Sequence, residues 1–317
     1  MAGPVIRLLA VRLVQIALTL AILSFAMFLL IGLMPGDPIE LAIAGDPRLN
    51  AEDAARLRAL HGLDQPLMSR YAAWAGGLLE GRFGHSRLFA QPVAQVIWPA
   101  LLSTLVLLGA ALLVAGTIGV GLGLLAAARP RAAPAVDAIA ILGQSAPSFW
   151  LGILLIIGFA VTLGWLPAGG TSETGGVLDA ARFLVLPVVT LAIANLAAYA
   201  RHSAAAVGAT LGEPWITAAR ARGNAEGRLL LRHALPNASV PILQVAALDA
   251  GALVGGALIT ETLFARPGMG KLIYDAVMGN DTNLALVALL LVALVTMLAT
   301  LAADLAQRAL DPRLSDA

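Results

Sequence analysis

The residues able to do chemistry in this 317-residue chain are few and scattered. Its four histidines, His61, His85, His202 and His233, do not cluster as metal ligands. The absence of cysteine excludes disulfides, thiolate metal sites and cysteine nucleophiles. Gly268-Met269-Gly270-Lys271 superficially resembles the end of a phosphate-binding loop, G-x-x-x-x-G-K-[ST]. Ala265 stands where the first glycine belongs and Leu272 follows the lysine, so no nucleotide site is expected in this chain. Asp249 is the one ionisable residue inside the apolar run from Ala234 to Thr260. A carboxylate at mid-span costs about 2.5–3.5 kcal/mol on insertion scales, so it must face a polar cavity or a partner chain. Lining a pathway and making a purely structural hydrogen bond both satisfy that requirement. Neither a His cluster nor a nucleophile–base pair accompanies it, which disfavours a hydrolase embedded in the membrane. What remains is a polar segment, Glu213 to Asn237, rich in arginine, alanine and glycine.

Composition says which elements must position that segment. The chain is 59% hydrophobic and 12% charged with a mean hydropathy of +0.87, whereas soluble domains carry about 25% charged residues. The net charge of +1 suggests no polyanion and hence no nucleic-acid partner. A helix crossing the hydrocarbon core needs about 20 apolar residues. Apolar runs predict an all-α, multi-pass protein with about six transmembrane helices, near residues 10–34, 98–127, 139–165, 183–201, 240–262 and 283–304. The uncharged stretch from Leu13 to Gly36 is longer than the roughly 7–15 residues of a signal-peptide core. It lacks a small-x-small cleavage site and reads as a retained first span. Gln91, Pro92, Gln95 and Pro99 favour an entry segment ahead of a single second helix.

Arginine placement orients the bundle. With the N-terminus inside, the inner loops carry Arg7, Arg12, Arg129, Arg131, Arg201, Arg220, Arg222, Arg228, Arg232, Arg308 and Arg313, against Arg182, Arg266 and Lys271 in the short outer loops. Segment 35–97 is long enough to cross regardless of its charge. The expected organisation is therefore a first helix in 1–34, an extracytoplasmic loop with short helices in 35–97, and a five-helix core in 98–304. Residues 202–238 form a cytoplasmic loop within that core, and 305–317 a cytoplasmic tail. In the outer loop, Asn50 with Asp53 resembles a helix start, and Gly62 a helix end. Gln65-Pro66 opens an amphipathic stretch with Met68, Tyr71, Trp74 and Leu78 on one side, suited to a membrane surface or to a partner. Gly119 with Gly123, and Gly251 with Gly255, allow close helix contact, read here as ordinary packing.

Within 202–238, Pro214 suits the first position of a short helix. Gly223 suits a left-handed residue ending it. Glu226 starts a second short helix bearing Arg228 and Arg232, and Pro236 precedes the return into the membrane. Such a helical hairpin fits a groove in a soluble partner; by periodicity it is equally an ordinary basic inner loop.

The segment resembles the EAA loop of ABC-importer permeases. Thr217-Ala218-Ala219, three residues, Gly223, nine residues, His233, one residue and Leu235-Pro236 keep that loop's spacing. Thr217 replaces the usual glutamate and His233 the usual isoleucine, departures typical of the dipeptide/oligopeptide/nickel branch. Leu33-Met34-Pro35-Gly36-Asp37-Pro38, Leu63-Asp64-Gln65-Pro66, Gly81-Arg82-Phe83-Gly84-His85-Ser86, Ser145 to Gly152, and Glu261 to Leu272 resemble segments of the branch's first-type permease. The resemblance implies a type I ABC importer permease fold in a bacterial inner membrane, with both termini cytoplasmic. It implies a non-catalytic transport subunit paired with a second permease. Two ATPase subunits would hold the ATP and magnesium, and an extracytoplasmic binding protein would deliver a di- or oligopeptide. Glu213, Thr217, Ala218, Ala219, Arg220, Arg222, Gly223, His233, Leu235 and Pro236 would form the ATPase-docking loop, with Arg220 and Arg222 making polar contacts. No metal or cofactor is expected in this chain. An ion-driven secondary carrier is the alternative, but it usually needs several intramembrane ionisable groups where Asp249 is the only clear one.

Overall fold

The computed structural model describes residues 2–32, 56, 64–172 and 175–310, with side chains for all but 2–5, 247–256 and 309–310. The elements are α1 (Ala2–Gly32), α2 (Leu67–Leu79), the strands β1 (His85–Ser86) and β2 (Gln91–Pro92), and α3 (Val93–Ala128). There follow α4 (Ala133–Ser145), α5 (Ser148–Leu155) running into a π-helical stretch Ile156–Thr162, and α6 (Val177–Leu211). The chain continues through α7 (Pro214–Ala221), α8 (Glu226–Arg228), a π-helical stretch Leu229–Ala234, α9 (Leu235–Leu263), α10 (Met269–Met278) and α11 (Thr282–Leu310). Among the described residues, α1, α3, α6 and α11 are long and apolar enough to cross a bilayer. The 29-residue α9 occupies the fifth expected position. The start of the outer loop around Asn50, Asp53 and Gly62 lies outside the described residues.

The third expected span is not one helix. α4 and α5 with its π-helical extension meet at 97°, a broken span or a re-entrant turn. Pro147 causes the break, because its ring excludes the helical conformation from the residue before it. Ala146 accordingly lies extended, at φ −86°, ψ 131°. The Pro147 carbonyl then accepts the first N–H groups of α5, from Trp150 and Leu151 at 3.0 and 3.1 Å. The charge-free run from Ala138 to Ser172 continues through the break and so hid it.

Two compact units emerge. The first comprises Met1–Leu9, Leu101–Lys271 and Val295–Ala317. At its centre α6 packs on α3 through Gly119 and Gly123. A Cβ at Gly119 would lie 2.6 Å from Tyr199 Cβ, and one at Gly123 2.6 Å from the Ala200 carbonyl, so only glycine permits this approach. The close packing expected of that pair is present, whereas the side-chain surroundings of Gly251 and Gly255 lie outside the described set. Val207, Ala234 and Ala238 form a buried cluster at the base of the 213–237 segment. Pro187 is tolerated inside α6, where Thr190 Oγ1 donates to the Leu186 carbonyl at 2.8 Å.

The second unit comprises Ala10–Ala100 and Leu272–Leu294. Here α2 forms where Gln65-Pro66 predicts it, and the structure gives its aromatic side a partner. Tyr71 packs edge-on against Phe25 and Phe28 of α1, with centroids 5.2 and 5.6 Å apart, and its hydroxyl shares a 2.8 Å hydrogen bond with Ser24. The entry segment before α3 is a small β1–β2 hairpin. Asp281 anchors it, accepting from Ser86 Oγ at 2.5 Å and Leu88 N–H at 3.0 Å while its other oxygen caps α11 through Leu284 N–H at 3.2 Å. Asn283 accepts from Trp74 Nε1 at 3.3 Å and donates to the Phe83 carbonyl at 2.7 Å, tying α2 to the same corner.

Candidate functional site

The 213–237 segment begins where Pro214 starts α7. Glu213 stands extended at the N-cap (φ −70°, ψ 143°) without a side-chain capping bond, and its carbonyl accepts from Ile216 and Thr217 N–H. Ile216 and Ala219, three residues apart, are buried, and α7 rests by this side on the end of α6 and the π-helical stretch 229–234. Trp215, Thr217, Ala218 and Arg220 face outward. The motif alanines therefore divide, Ala219 holding the helix in place and Ala218 lying on its free side.

Gly223 ends the helix at φ +83°, the left-handed conformation expected of it. Its N–H reaches the Arg220 carbonyl at 3.0 Å, and Asn224 Nδ2 caps the Ala219 carbonyl at 2.9 Å. Across this turn Arg220 forms a bidentate pair with Glu226, Nε to Oε1 at 2.5 Å and Nη2 to Oε2 at 3.1 Å. The hydrogen bond, then the opposite charge, raises the Arg220 pKa, and the hydrogen bond from Arg220 holds Glu226 below its ordinary value. Arg222 Nε donates to the Ala218 carbonyl at 3.3 Å. Both arginines expected to face a partner are thus also engaged within the loop.

The second half differs from the expected free hairpin. α8, the π-helical stretch and α9 follow one another without a break, so the second short helix runs on into α9 and Pro236 lies in the first turn of that helix. A proline ring clashes with the carbonyl four residues back, and a wider π turn relieves such crowding. Leu229 and Ala234 are buried, whereas His233 and Leu235 are partly buried and Pro236 is exposed. Asn237 Nδ2 donates to the His233 carbonyl at 2.7 Å, satisfying an acceptor at this junction. α7 therefore packs on a stretch that runs unbroken into α9. Asp249 lies on α9, with its side chain outside the described set.

Sequence reasoning passed over a second polar group, at the far end of α9. Glu261 is wholly buried. Thr104 Oγ1 donates to its Oε1 at 2.5 Å and accepts from Met269 N–H at 2.7 Å, while Lys271 N–H donates to Oε2 at 3.1 Å. Nearby Arg266 is half-buried, and that burial draws its pKa down against the opposing charge of Glu261. The signals in the sequence were an acid closing a long apolar run and its place at the head of the family-like segment Glu261 to Leu272, neither of which shows that it is buried.

Residues 119–316 match the family described as binding-protein-dependent transport system inner membrane component, and residues 5–94 match the N-terminal region of such membrane components. The chain belongs to this family. It is 34% identical over 313 residues to the di/tripeptide transport system permease protein of Pseudomonas aeruginosa, covering 90% of this chain and 92% of that one. It is 31% identical to the oligopeptide transport system permease protein of Bacillus subtilis, over 95% and 96% of the two chains. It is 35% identical to the glutathione transport system permease protein of Escherichia coli K12, again over 95% and 96%. Two inward-facing crystal forms of a methionine ABC transporter share the fold, with TM-scores of 0.55 and 0.56 at 22% and 23% identity. They cover 66% and 69% of this chain and 93% and 98% of theirs. This binding-protein-dependent permease is thus an all-α, multi-pass inner-membrane subunit of an ABC importer, a class that works with ATPase and other permease subunits.

Proposed function

We propose that this permease carries di- or oligopeptides, forming the translocation pathway with a second, different permease subunit. Relatives across nearly the whole chain are named for di/tripeptide, oligopeptide and glutathione transport, all peptides or peptide-like, and this carries the reading. An extracytoplasmic binding protein delivers the solute, and two cytoplasmic ATPase subunits hold ATP and magnesium. Both termini are cytoplasmic, as the arginine bias supports. The loop Glu213–Pro236 docks on the ATPase with Trp215, Thr217 and Ala218 outward, and Arg220 and Arg222 shape it as well as meet the partner. Closure of the ATPase pair moves α7, and the continuous helix from Glu226 to Leu263 carries that movement into the membrane, alternating access to the pathway. Energy transfers only if the loop binds the two ATPase states unequally, because equal affinity shifts nothing. Reconstitution with the partner permease, ATPases and binding protein tests the reading. Labelled dipeptide should enter vesicles only with ATP and binding protein. Uptake by this chain alone, driven by an ion gradient and abolished by ionophore, refutes it.

A further inference from the structure

We propose that Glu261 is a positioning residue, holding the end of α9 remote from the ATPase-docking loop rigidly to α3 and to the first turn of α10 throughout the transport cycle. The inference rests on the function proposed above and adds to it a requirement at the opposite end of the same helix. At 1.5 Å per residue, 29 residues extend about 43 Å, more than the roughly 30 Å hydrocarbon core. The docking segment enters α9 at Leu235, and Glu261 sits two residues before its end. A push delivered at one end moves solute only if the other end does not give.

The chemistry of the clasp suits that task. The first N–H groups of a helix have no partner within it. Those of Met269 and Lys271, at the start of α10, are taken by Thr104 Oγ1 and Glu261 Oε2 respectively. The Glu261 carboxylate thus caps a helix that follows its own, and Thr104 links both to α3. The helix N-terminus and Arg266 offset the buried negative charge. Gly268 lies so close to the Glu261 carboxyl that a Cβ there would collide with it. Next to it, the buried Phe264 gives its carbonyl to Gly170 N–H at 2.7 Å, and Gly152 of α5 leaves no room for a Cβ beside Leu263. With hydrogen bonds on both Glu261 oxygens and the residue wholly buried, this group is built to hold and not to bind a ligand.

The test uses the whole reconstituted complex carrying Thr104→Val, Thr104→Ser or Glu261→Gln, reading dipeptide taken up per ATP hydrolysed. Valine keeps the shape of threonine but removes both hydrogen bonds, whereas serine keeps them. Thr104→Val and Glu261→Gln should lower the ratio about fivefold or more, the scale of a lost buried hydrogen bond, with ATP hydrolysis within about twofold of wild type. Thr104→Ser should stay within about twofold, the serine hydroxyl conserving both bonds. An unchanged ratio in Thr104→Val, or a Thr104→Ser as impaired as the valine, overturns the proposal. The threonine pair decides the matter if Glu261→Gln fails to assemble. Hydrogen exchange in peptide 266–272, which needs no solute, should show protection with and without bound ATP. Opening in either state overturns the clasp, whereas a wild-type complex that moves no dipeptide refutes only the substrate reading.

Discussion

Gly223→Val should strike the proposed docking loop through its backbone. Gly223 sits at φ +83°, and a Cβ placed there meets no atom within 4 Å. The Cβ itself meets no obstacle, so the leading penalty is that of the backbone conformation. Left-handed geometry costs an L-residue about 1–2 kcal/mol, which shifts the equilibrium against the observed turn by roughly 5- to 30-fold. The N–H of Gly223 and the Asn224 cap on the Ala219 carbonyl depend on that turn, as does the pairing of Arg220 with Glu226 across it. ATP-dependent uptake of labelled dipeptide, and the stimulation of ATP hydrolysis by binding protein, should both fall, by up to about that factor, in vesicles holding equal amounts of complex. Membrane insertion should be unaffected. Gly223→Asn separates backbone strain from lost space, since asparagine tolerates the left-handed region better; it should retain more activity than Gly223→Ala. Valine with wild-type uptake would refute both the turn argument and the docking role built on it.

Three further outcomes follow from the geometry. Gly123→Ala places a methyl group into Ser203 and the Ala200 carbonyl, so α3 and α6 must separate; overpacking of this kind costs about 1–3 kcal/mol, readable as a lowered Tm in detergent. Asp281→Ala removes the acceptor of Ser86 Oγ, Leu88 N–H and the α11 cap, and loss of the cap alone costs about 0.5–2 kcal/mol. Increased proteolysis within 83–92 would report the freed hairpin, and a protected hairpin would contradict this account. The Glu226 pKa is lowered in the folded loop, so its pairing with Arg220 is complete above the ordinary glutamate range and is lost only as pH falls through that lowered value. Hydrogen exchange over 220–228 should therefore be flat around neutral pH apart from intrinsic exchange, and Glu226→Gln should abolish the acid-side change.

Among the described residues hydropathy located the long helices, because a span is a property of 20 or so neighbouring side chains averaged together. The same averaging concealed the 97° break at Pro147, because the short polar stretch Gln144 to Ser148 lies inside a longer charge-free run. Local rules also served the 213–237 segment: Pro214 starts α7 and Gly223 ends it. They failed one turn later, where Pro236 reads as punctuation but is absorbed in a continuous helix behind a π-helical stretch. The partner of Arg220 lay six residues away across the turn, at a spacing no helical periodicity would select.

By itself, then, the sequence determined what this chain is made of and where it must lie: apolar runs that water will not accept, an arginine bias, and a spaced motif whose glycine and proline act through their own backbones. The family likeness was legible for the same reason. Only tertiary structure decided which polar groups are expensive and who satisfies them. Glu261 ends an apolar run like any exposed acid, yet folding removes it from water entirely and supplies Thr104, 157 residues away, and the start of α10 as partners. Asp281 meets Ser86 across 195 residues in the same manner. Hydrogen-bond satisfaction depends on distances of about 3 Å in space, and separation along the chain carries no record of those.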